Sequence, residues 1–252
     1  MSELLGIYTL WLREVKRYFR ERSRVVASFF QPLLWLVIFG SGIRFSGGGV
    51  EGVSYQEFIF PGIIAQTLLF TSMFMGISVI WDREFGFLRE ILVAPISRFS
   101  VFIGKMLGGS TDAVVQASLI FLYSLLVGVQ VDLLTFLVSL PIMILMTFGL
   151  VSVGLTFASL IGSLESFGLV QTFINLPLFF LSGALFPLSV VPEWLRWISA
   201  VNPLTYGVDA LRGIILSGSW TPLYPLFYDL LALVAFDVAM IFVGSTIFGR
   251  RK

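Results

Sequence analysis

The amino-acid sequence predicts an all-α membrane protein with six transmembrane helices. Three observations support this prediction. Hydrophobic residues make up 57% of the 252 residues and charged residues only 12%, about half the charged fraction of soluble proteins. The mean hydropathy is +0.96. Apolar stretches close to the ~20 residues that a helix needs to cross a bilayer recur along the chain.

Residues 1–24 form the first predicted element, an amphipathic helix at the cytoplasmic membrane surface. Apolar residues fall on one helical stripe and charged residues lie elsewhere. The stripe consists of Leu4, Tyr8, Trp11, Val15, Tyr18 and Phe19. A basic leader that only orients the protein in the membrane would carry the same charges. A cleavable signal peptide is not expected, because charges interrupt the apolar stretch that it requires.

The six predicted spans are residues 25–43, 59–81, 102–129, 133–161, 169–186 and 226–248, in one transmembrane domain of residues 1–252. Lys and Arg indicate their orientation, because cytoplasmic segments carry an excess of both. Thirteen of the sixteen lie before the first span, between the second and third spans or early in the third, and at the C-terminal end. The others are Arg44, Arg196 and Arg212. We therefore expect a multi-pass plasma-membrane protein with both termini in the cytoplasm.

Missing residue types exclude several kinds of chemistry. The sequence has no Cys and no His, which excludes thiolate catalysis, Ser–His catalysis and His-containing zinc motifs. The glycine-rich run at residues 46–49 lacks the Lys and the Ser or Thr of a phosphate-binding loop. We therefore expect a chain that is not an enzyme and binds no cofactor, so that ATP-driven activity would need a partner. The net charge of +1 does not indicate nucleic-acid binding.

The connection between the second and third spans is the largest cytoplasmic segment and the most informative one. Glu84, Leu88 and Leu92 have helical spacing, and Pro95 ends the predicted helix. Its mixed face of charged and apolar side chains is typical of a helix that binds in a groove on a soluble partner. An interfacial helix that packs only against its own bundle has the same composition.

This connection also carries a family resemblance. Residues 82–97, DREFGFLREILVAPIS, resemble the segment between the second and third spans of ABC-2 type transporter permeases. Residues 58–62, FIFPG, are similar to the start of the second span in that family. Four blocks are similar to its fifth-span exit and external segment: LSGALFP (181–187), PEWL (192–195), NPLTY (202–206) and DALR (209–212). Phe87 and Arg89 depart from the family pattern, which often has Thr and Glu there.

The resemblance implies one membrane half of an ABC exporter, paired with a second permease copy or a similar subunit. Separate ATPase subunits would bind ATP and Mg²⁺ and supply the energy. It also implies a coupling helix seated on the ATPase, beside the N-terminal helix, and short external helices that re-enter the outer leaflet. The candidate coupling residues are Glu84, Phe85, Gly86, Leu88, Arg89, Leu92 and Pro95. The few charges in the spans favour a hydrophobic or amphipathic cargo: a drug, a lipid or a lipid-linked glycan.

Polar residues inside the spans are a second set of candidates. Asp112 and Asp237 lie within the third and sixth spans, and Asn175 lies beside Pro177 in the fifth. A carboxylate at the centre of a span costs roughly 2.5–3.5 kcal/mol, so each should face protein or water. They would line a pathway or make a conformational contact, or they are neutral structural groups. The alternative function is a proton- or sodium-coupled secondary transporter that uses Asp112 or Asp237.

Overall fold

The computed structural model describes residues 3–21, 26, 30–38, 49–50, 52–86, 95–124, 128–129 and 131–250. Apart from a two-stranded hairpin, β1 (Gly49–Val50) and β2 (Val53–Ser54), its regular elements are helices. They are α1 (Glu3–Arg20), α2 (residues 30–38), α3 (Tyr55–Glu84), α4 (Arg98–Ile120), α5 (Leu133–Leu160), α6 (Leu164–Phe180), α7 (Glu193–Val201), α8 (Pro203–Ile215) and α9 (Leu226–Arg250), with a short 3-10 helix, Phe121–Tyr123, directly after α4. The predicted all-α class is confirmed at this level.

Three of the described helices are long and apolar enough to cross a membrane: α3, α5 and residues 226–249 of α9. The apolar helix α6 is shorter, with 17 residues. Helix α4 has 23 residues but carries charged residues within its length, including Lys105 and Asp112. The first predicted span, residues 25–43, lies largely outside the described residues. The count of six spans therefore stays a prediction.

Helix α3 is the centre of the bundle and packs against α4, α5, α6 and α8. Ser54 and Glu57 form a capping box at its start, in which the Ser54 N–H donates to Glu57 Oε2 at 2.8 Å and the Glu57 N–H donates to Ser54 Oγ at 3.3 Å. Farther along, a Cβ on Gly76 would lie 2.5 Å from the carbonyl oxygen of Gly154 in α5. Glycine therefore allows the two backbones to approach closely.

The segment between α6 and α9 contains two short helices, as the interrupted sequence predicts. Asn202 begins α8 by accepting a hydrogen bond from the Leu204 N–H at 3.0 Å. Arg212 of α8 is buried and donates to the carbonyl oxygens of Gly183, at 2.9 Å, and Phe58, at 3.3 Å. Arg212 therefore joins α8 to the start of α3 and to the chain that follows α6.

Candidate functional site

Helix α3 ends directly before the predicted coupling segment. The Phe85 N–H donates to the carbonyl oxygen of Trp81, and Gly86 follows with a φ of +76°, the left-handed conformation that commonly ends helices. Glu84, Gly86 and Pro95 remain at least partly accessible, and the Phe85 side chain is 83% exposed. Leu88, Arg89 and Leu92 lie outside the described residues. The coupling helix therefore stays a prediction, between two helix ends that the structure describes.

Helix α4 begins on the other side of the segment, where α1 also begins. The Ser97 N–H and hydroxyl donate to the Glu3 carboxylate at 3.0 to 3.1 Å. Hydrogen bonds from Ser100 and Ser97 lower the pKa of Glu3. Ser97 Oγ in turn accepts from the Ser100 N–H at 3.1 Å and caps α4. The first residues of α1 and α4 therefore lie together.

Two arginines that flank the segment bind the ends of other helices. Arg83 donates to the carbonyl oxygens of Ile161, at 2.9 Å, and Ala158, at 3.2 Å, at the end of α5. Arg98 donates to the carbonyl oxygen of Gly249 in α9 at 2.7 Å. Cations at helix C-termini satisfy the last carbonyl groups and favour the helix dipole. One end of the bundle, here called the Arg83 end, thus brings together five helix termini. They are the ends of α3, α5 and α9 and the starts of α1 and α4.

Helix α1 packs tightly along the first half of α4. A Cβ on Gly104 would lie 2.8 Å from Leu10 Cβ, and one on Gly108 would lie 2.6 Å from Glu14 Cβ. Glycines four residues apart share one face of a helix, so they form a shallow groove for α1. The side of α1 that fills this groove is buried at every fourth residue: Gly6, Leu10, Glu14 and Tyr18.

The predicted apolar stripe of α1 lies beside that contact. Leu4, Tyr8 and Phe19 are exposed, as residues that face lipid would be. Tyr18 belongs to the predicted stripe but is buried in the bundle. The Trp11 indole N–H donates to Thr111 Oγ1 of α4 at 2.9 Å. Helix α1 therefore has a specific packing partner as well as an exposed apolar face.

Four charged residues from three helices meet where α1 crosses α4. This charge cluster consists of Arg13 and Glu14 of α1, Asp82 of α3 and Lys105 of α4. Lys105 Nζ lies 3.1 Å from Glu14 Oε1 and 2.5 Å from Asp82 Oδ2. Arg13 binds Asp82 through both terminal nitrogens, at 2.7 and 3.2 Å. Lys105 is completely buried, and Glu14 and Asp82 are nearly so.

The two acidic neighbours of Arg13 favour its charged form. Burial lowers the pKa of Arg13, but the hydrogen bond and charge of Asp82 and the charge of Glu14 outweigh it, so that the pKa lies above its ordinary value. The Ser78 hydroxyl lies 3.3 Å from Lys105 Nζ as a further partner. The buried lysine therefore has oxygen partners from α1 and α3.

Sequence reasoning missed this cluster. Lys105 counted only as one of the cytoplasmic positive charges, and Asp82 only as the first residue of the resemblance. A signal was present, because a lysine within an apolar span and an acid at the end of the preceding span are expected at the same depth.

The predicted intramembrane residues lie on three different helices: Asp112 on α4, Asn175 on α6 and Asp237 on α9, all buried. Asp237 faces α5 at Gly149, where a Cβ would lie 2.5 Å from Asp237 Oδ1. Among the described residues no side chain forms a hydrogen bond with the Asp237 carboxyl group. Asp229, two turns earlier, is a further buried carboxyl group that sequence reasoning did not select.

Comparisons with known proteins agree with one another. A family model described as "ABC-2 type transporter" matches residues 6–216. "Putative transport permease ycf38" of Cyanophora paradoxa is 34% identical over 214 residues, which are 82% of this chain and 74% of the relative. "Nodulation protein J" of Rhizobium meliloti (strain 1021) is 26% identical over 231 residues, 91% and 87% of the two chains. "Inner membrane transport permease YadH" of Escherichia coli (strain K12) is 26% identical over 255 residues, 98% and 96%.

Proposed function

Because the chain belongs to the ABC-2 type transporter family, we propose that it is the non-catalytic membrane subunit of an ATP-driven exporter. The observation that carries the proposal is the extent of the family match, from residue 6 to residue 216. The match runs from α1 through the charge cluster and the coupling segment to α8. A separate ATPase would bind ATP and Mg²⁺, because this sequence contains no phosphate-binding loop.

The Arg83 end of the bundle is the proposed docking end for that ATPase. Phe85 and Glu84 are exposed there, and the coupling segment leaves and rejoins the bundle between α3 and α4. Exposed apolar side chains beside charged ones suit a groove-binding helix. In this proposal Phe85, Leu88 and Leu92 bind the groove, and Gly86 and Pro95 bound the coupling helix. Glu84 and Arg89 orient the helix through charge pairing.

The same end is proposed to face the cytoplasm. Arg13 and Arg17 of α1 contact the last turn of α3 there, at Asp82 and Trp81. Both flanking arginines, Arg83 and Arg98, lie there too, as the excess of cytoplasmic Lys and Arg requires. Arg212 and the two short helices α7 and α8 would then be external. With residues 25–43 as the first span, this arrangement gives six spans in the plasma membrane and two cytoplasmic termini.

Helix α6 is the proposed contact for a second permease copy. It buries only Phe167, Asn175 and Phe179 within this chain, whereas Leu169 and Phe173 are exposed. An apolar groove of about 460 Å³ lies between α6 and α7 and is lined mainly by Pro177, Leu178, Leu181, Trp197, Ile198 and Val201. The exposed apolar residues of α6 support contact with the second copy, and the groove supports contact with lipid and with a hydrophobic or amphipathic cargo.

Purification of the tagged chain from its native membranes tests this function. We expect an ATPase of the ATP-binding-cassette type to co-purify and to be identified by mass spectrometry. The complex should hydrolyse ATP faster than the isolated ATPase. A chain that purifies without any ATPase from membranes in which it is active would contradict the proposal.

The alternative is a proton- or sodium-coupled secondary transporter, and the observation that favours it is the buried Asp237. A carboxyl group without a side-chain partner in a span is suited to bind and release a cation. Transport that follows an ion gradient and continues without ATP would favour this alternative. Loss of transport in Asp237→Asn alone would fit both functions, so dependence on ATP decides between them.

A further inference from the structure

We propose that the charge cluster of Arg13, Glu14, Asp82 and Lys105 holds α1, α3 and α4 in one fixed arrangement, so that α1 moves as one body with both ends of the coupling segment. Its members would be positioning residues for ATPase coupling, since none of them needs to touch the ATPase. This inference rests on the proposed function. It gives a role in ATPase coupling to residues outside the coupling segment.

The cluster joins three helices in pairs. Lys105 joins α4 to α1 through Glu14 at 3.1 Å and α4 to α3 through Asp82 at 2.5 Å. Arg13 joins α1 to α3 through two hydrogen bonds to Asp82. Each helix is therefore bound to both of the others by a direct charged contact.

The position of the cluster relates it to the coupling segment. Asp82 lies in the last turn of α3, three residues before Phe85, and Lys105 lies two turns into α4, after the segment ends. Between these positions α1 contacts the segment's exit, because a Cβ on Gly6 would lie 3.5 Å from Ile96 Cβ. A force on the segment would thus reach α1 and two spans together.

Burial indicates that the cluster specifies this arrangement. Desolvation offsets most of the attraction in a buried ion pair, so apolar residues of similar volume would often stabilise a fold as well. Charged groups differ from apolar groups in how precisely they fix helix positions. Only one relative position of the helices pairs every charge in the network, whereas apolar side chains stay in contact when the helices slide. A buried network with partners on three helices therefore suits elements that must keep their relative positions during movement.

Lys105→Met is the informative variant. Methionine has a similar length and no charge. The remaining charges keep partners: Asp82 retains both hydrogen bonds from Arg13, and Glu14 retains Arg13 at 3.4 Å and Arg17 at 4.0 Å. The variant removes the direct charged contacts of α4 without leaving a carboxylate alone. Lys16→Met is the matched control, because it removes an exposed charge from the same side of the membrane.

The assay measures ATP hydrolysis by the complex that co-purifies with each tagged variant, after reconstitution in lipid vesicles. We expect Lys105→Met to assemble with the ATPase and to lose permease-dependent hydrolysis by on the order of tenfold, as residues coupled within one network can. Lys16→Met should match the wild type. If Lys105→Met does not accumulate in membranes, Glu14→Gln tests the same contact and should show the same loss.

A disulfide tests whether the charges act by holding α1 in place or in some other way. The chain has no native Cys, and the distance at Gly6 and Ile96 is within the Cβ separation of about 3.5–4.5 Å that a disulfide needs. Gly6→Cys and Ile96→Cys, oxidised in the Lys105→Met background, should restore most of the hydrolysis by joining α1 to the segment covalently. The same two cysteines, oxidised in the chain that keeps Lys105, should leave ATP hydrolysis unchanged.

Two results would overturn the inference. One is wild-type hydrolysis in Lys105→Met or in Glu14→Gln, and the other is no recovery although the disulfide has formed. Either result with an active wild-type complex leaves the proposed function intact. A wild-type chain that carries no ATPase would instead remove the proposed function, and this inference with it.

Discussion

Gly108→Ala should separate α1 from α4 at the centre of their contact. The new Cβ would lie 2.6 Å from Glu14 Cβ, whereas carbon atoms in contact are about 3.5–4.0 Å apart. Glu14 Cβ is fixed to the backbone, so α1 must move away by about 1 Å to reach that separation. The Lys105–Glu14 distance of 3.1 Å would then lengthen beyond hydrogen-bonding range.

The magnitude follows from two opposing effects. Alanine in place of glycine favours a helix by about 1 kcal/mol, and overpacking costs about 1–3 kcal/mol. Gly168→Ala is the matched control, because Gly168 lies inside helix α6 and its Cβ would meet nothing within 4 Å. We therefore expect Gly108→Ala to be less stable than Gly168→Ala by about 1–3 kcal/mol, the overpacking cost alone.

Thermal unfolding of both variants in one detergent measures this difference. Gly108→Ala should have the lower Tm of the two variants. Trypsin added to the protein in detergent should also cleave α1 faster in Gly108→Ala, because the helix is less tightly bound. Equal Tm values and equal cleavage rates would refute the packing of α1 in the glycine groove of α4.

Three further predictions test other parts of the molecule. Leu88→Asp should insert normally but lose the ATPase on co-purification, because an unpaired carboxylate in an apolar groove costs on the order of 2–5 kcal/mol; a retained ATPase would show that the segment is only interfacial. Asp237→Asn should leave insertion intact and change the transport rate if the residue contacts a pathway. An unchanged transport rate would show that Asp237 is a structural group. A reporter after Lys252 should be cytoplasmic and one at Gly48 external, and a cytoplasmic Gly48 reporter would reverse the proposed orientation.

Local sequence patterns predicted the long helices well. Apolar stretches predicted α3, α5 and α9 because a helix satisfies every backbone polar group without water. Helix α3 begins at Tyr55, before the predicted span of residues 59–81, because the side chains of Ser54 and Glu57 form a capping box at its start. Those side chains are polar, so a search for apolar residues does not include them.

Contacts between distant residues could not be predicted in this way. Lys105 and Glu14 are 91 positions apart, and no helical period relates them. The count of positive charges placed Arg83, Arg98 and Lys105 on one side of the membrane. It did not show that the first two bind helix ends or that the third is buried. Residues 87–94, which include Leu88, Arg89 and Leu92, remain predicted from the pattern alone.

The most direct test of the central claim is the energy source of the reconstituted complex. We predict that vesicles containing the tagged chain and its co-purified ATPase hydrolyse ATP, that Leu88→Asp abolishes the permease-dependent part, and that a proton and sodium ionophore mixture leaves it unchanged. Transport by the chain alone that is driven by an ion gradient, and that persists in Leu88→Asp, would contradict the assignment as the membrane subunit of an ATP-driven exporter.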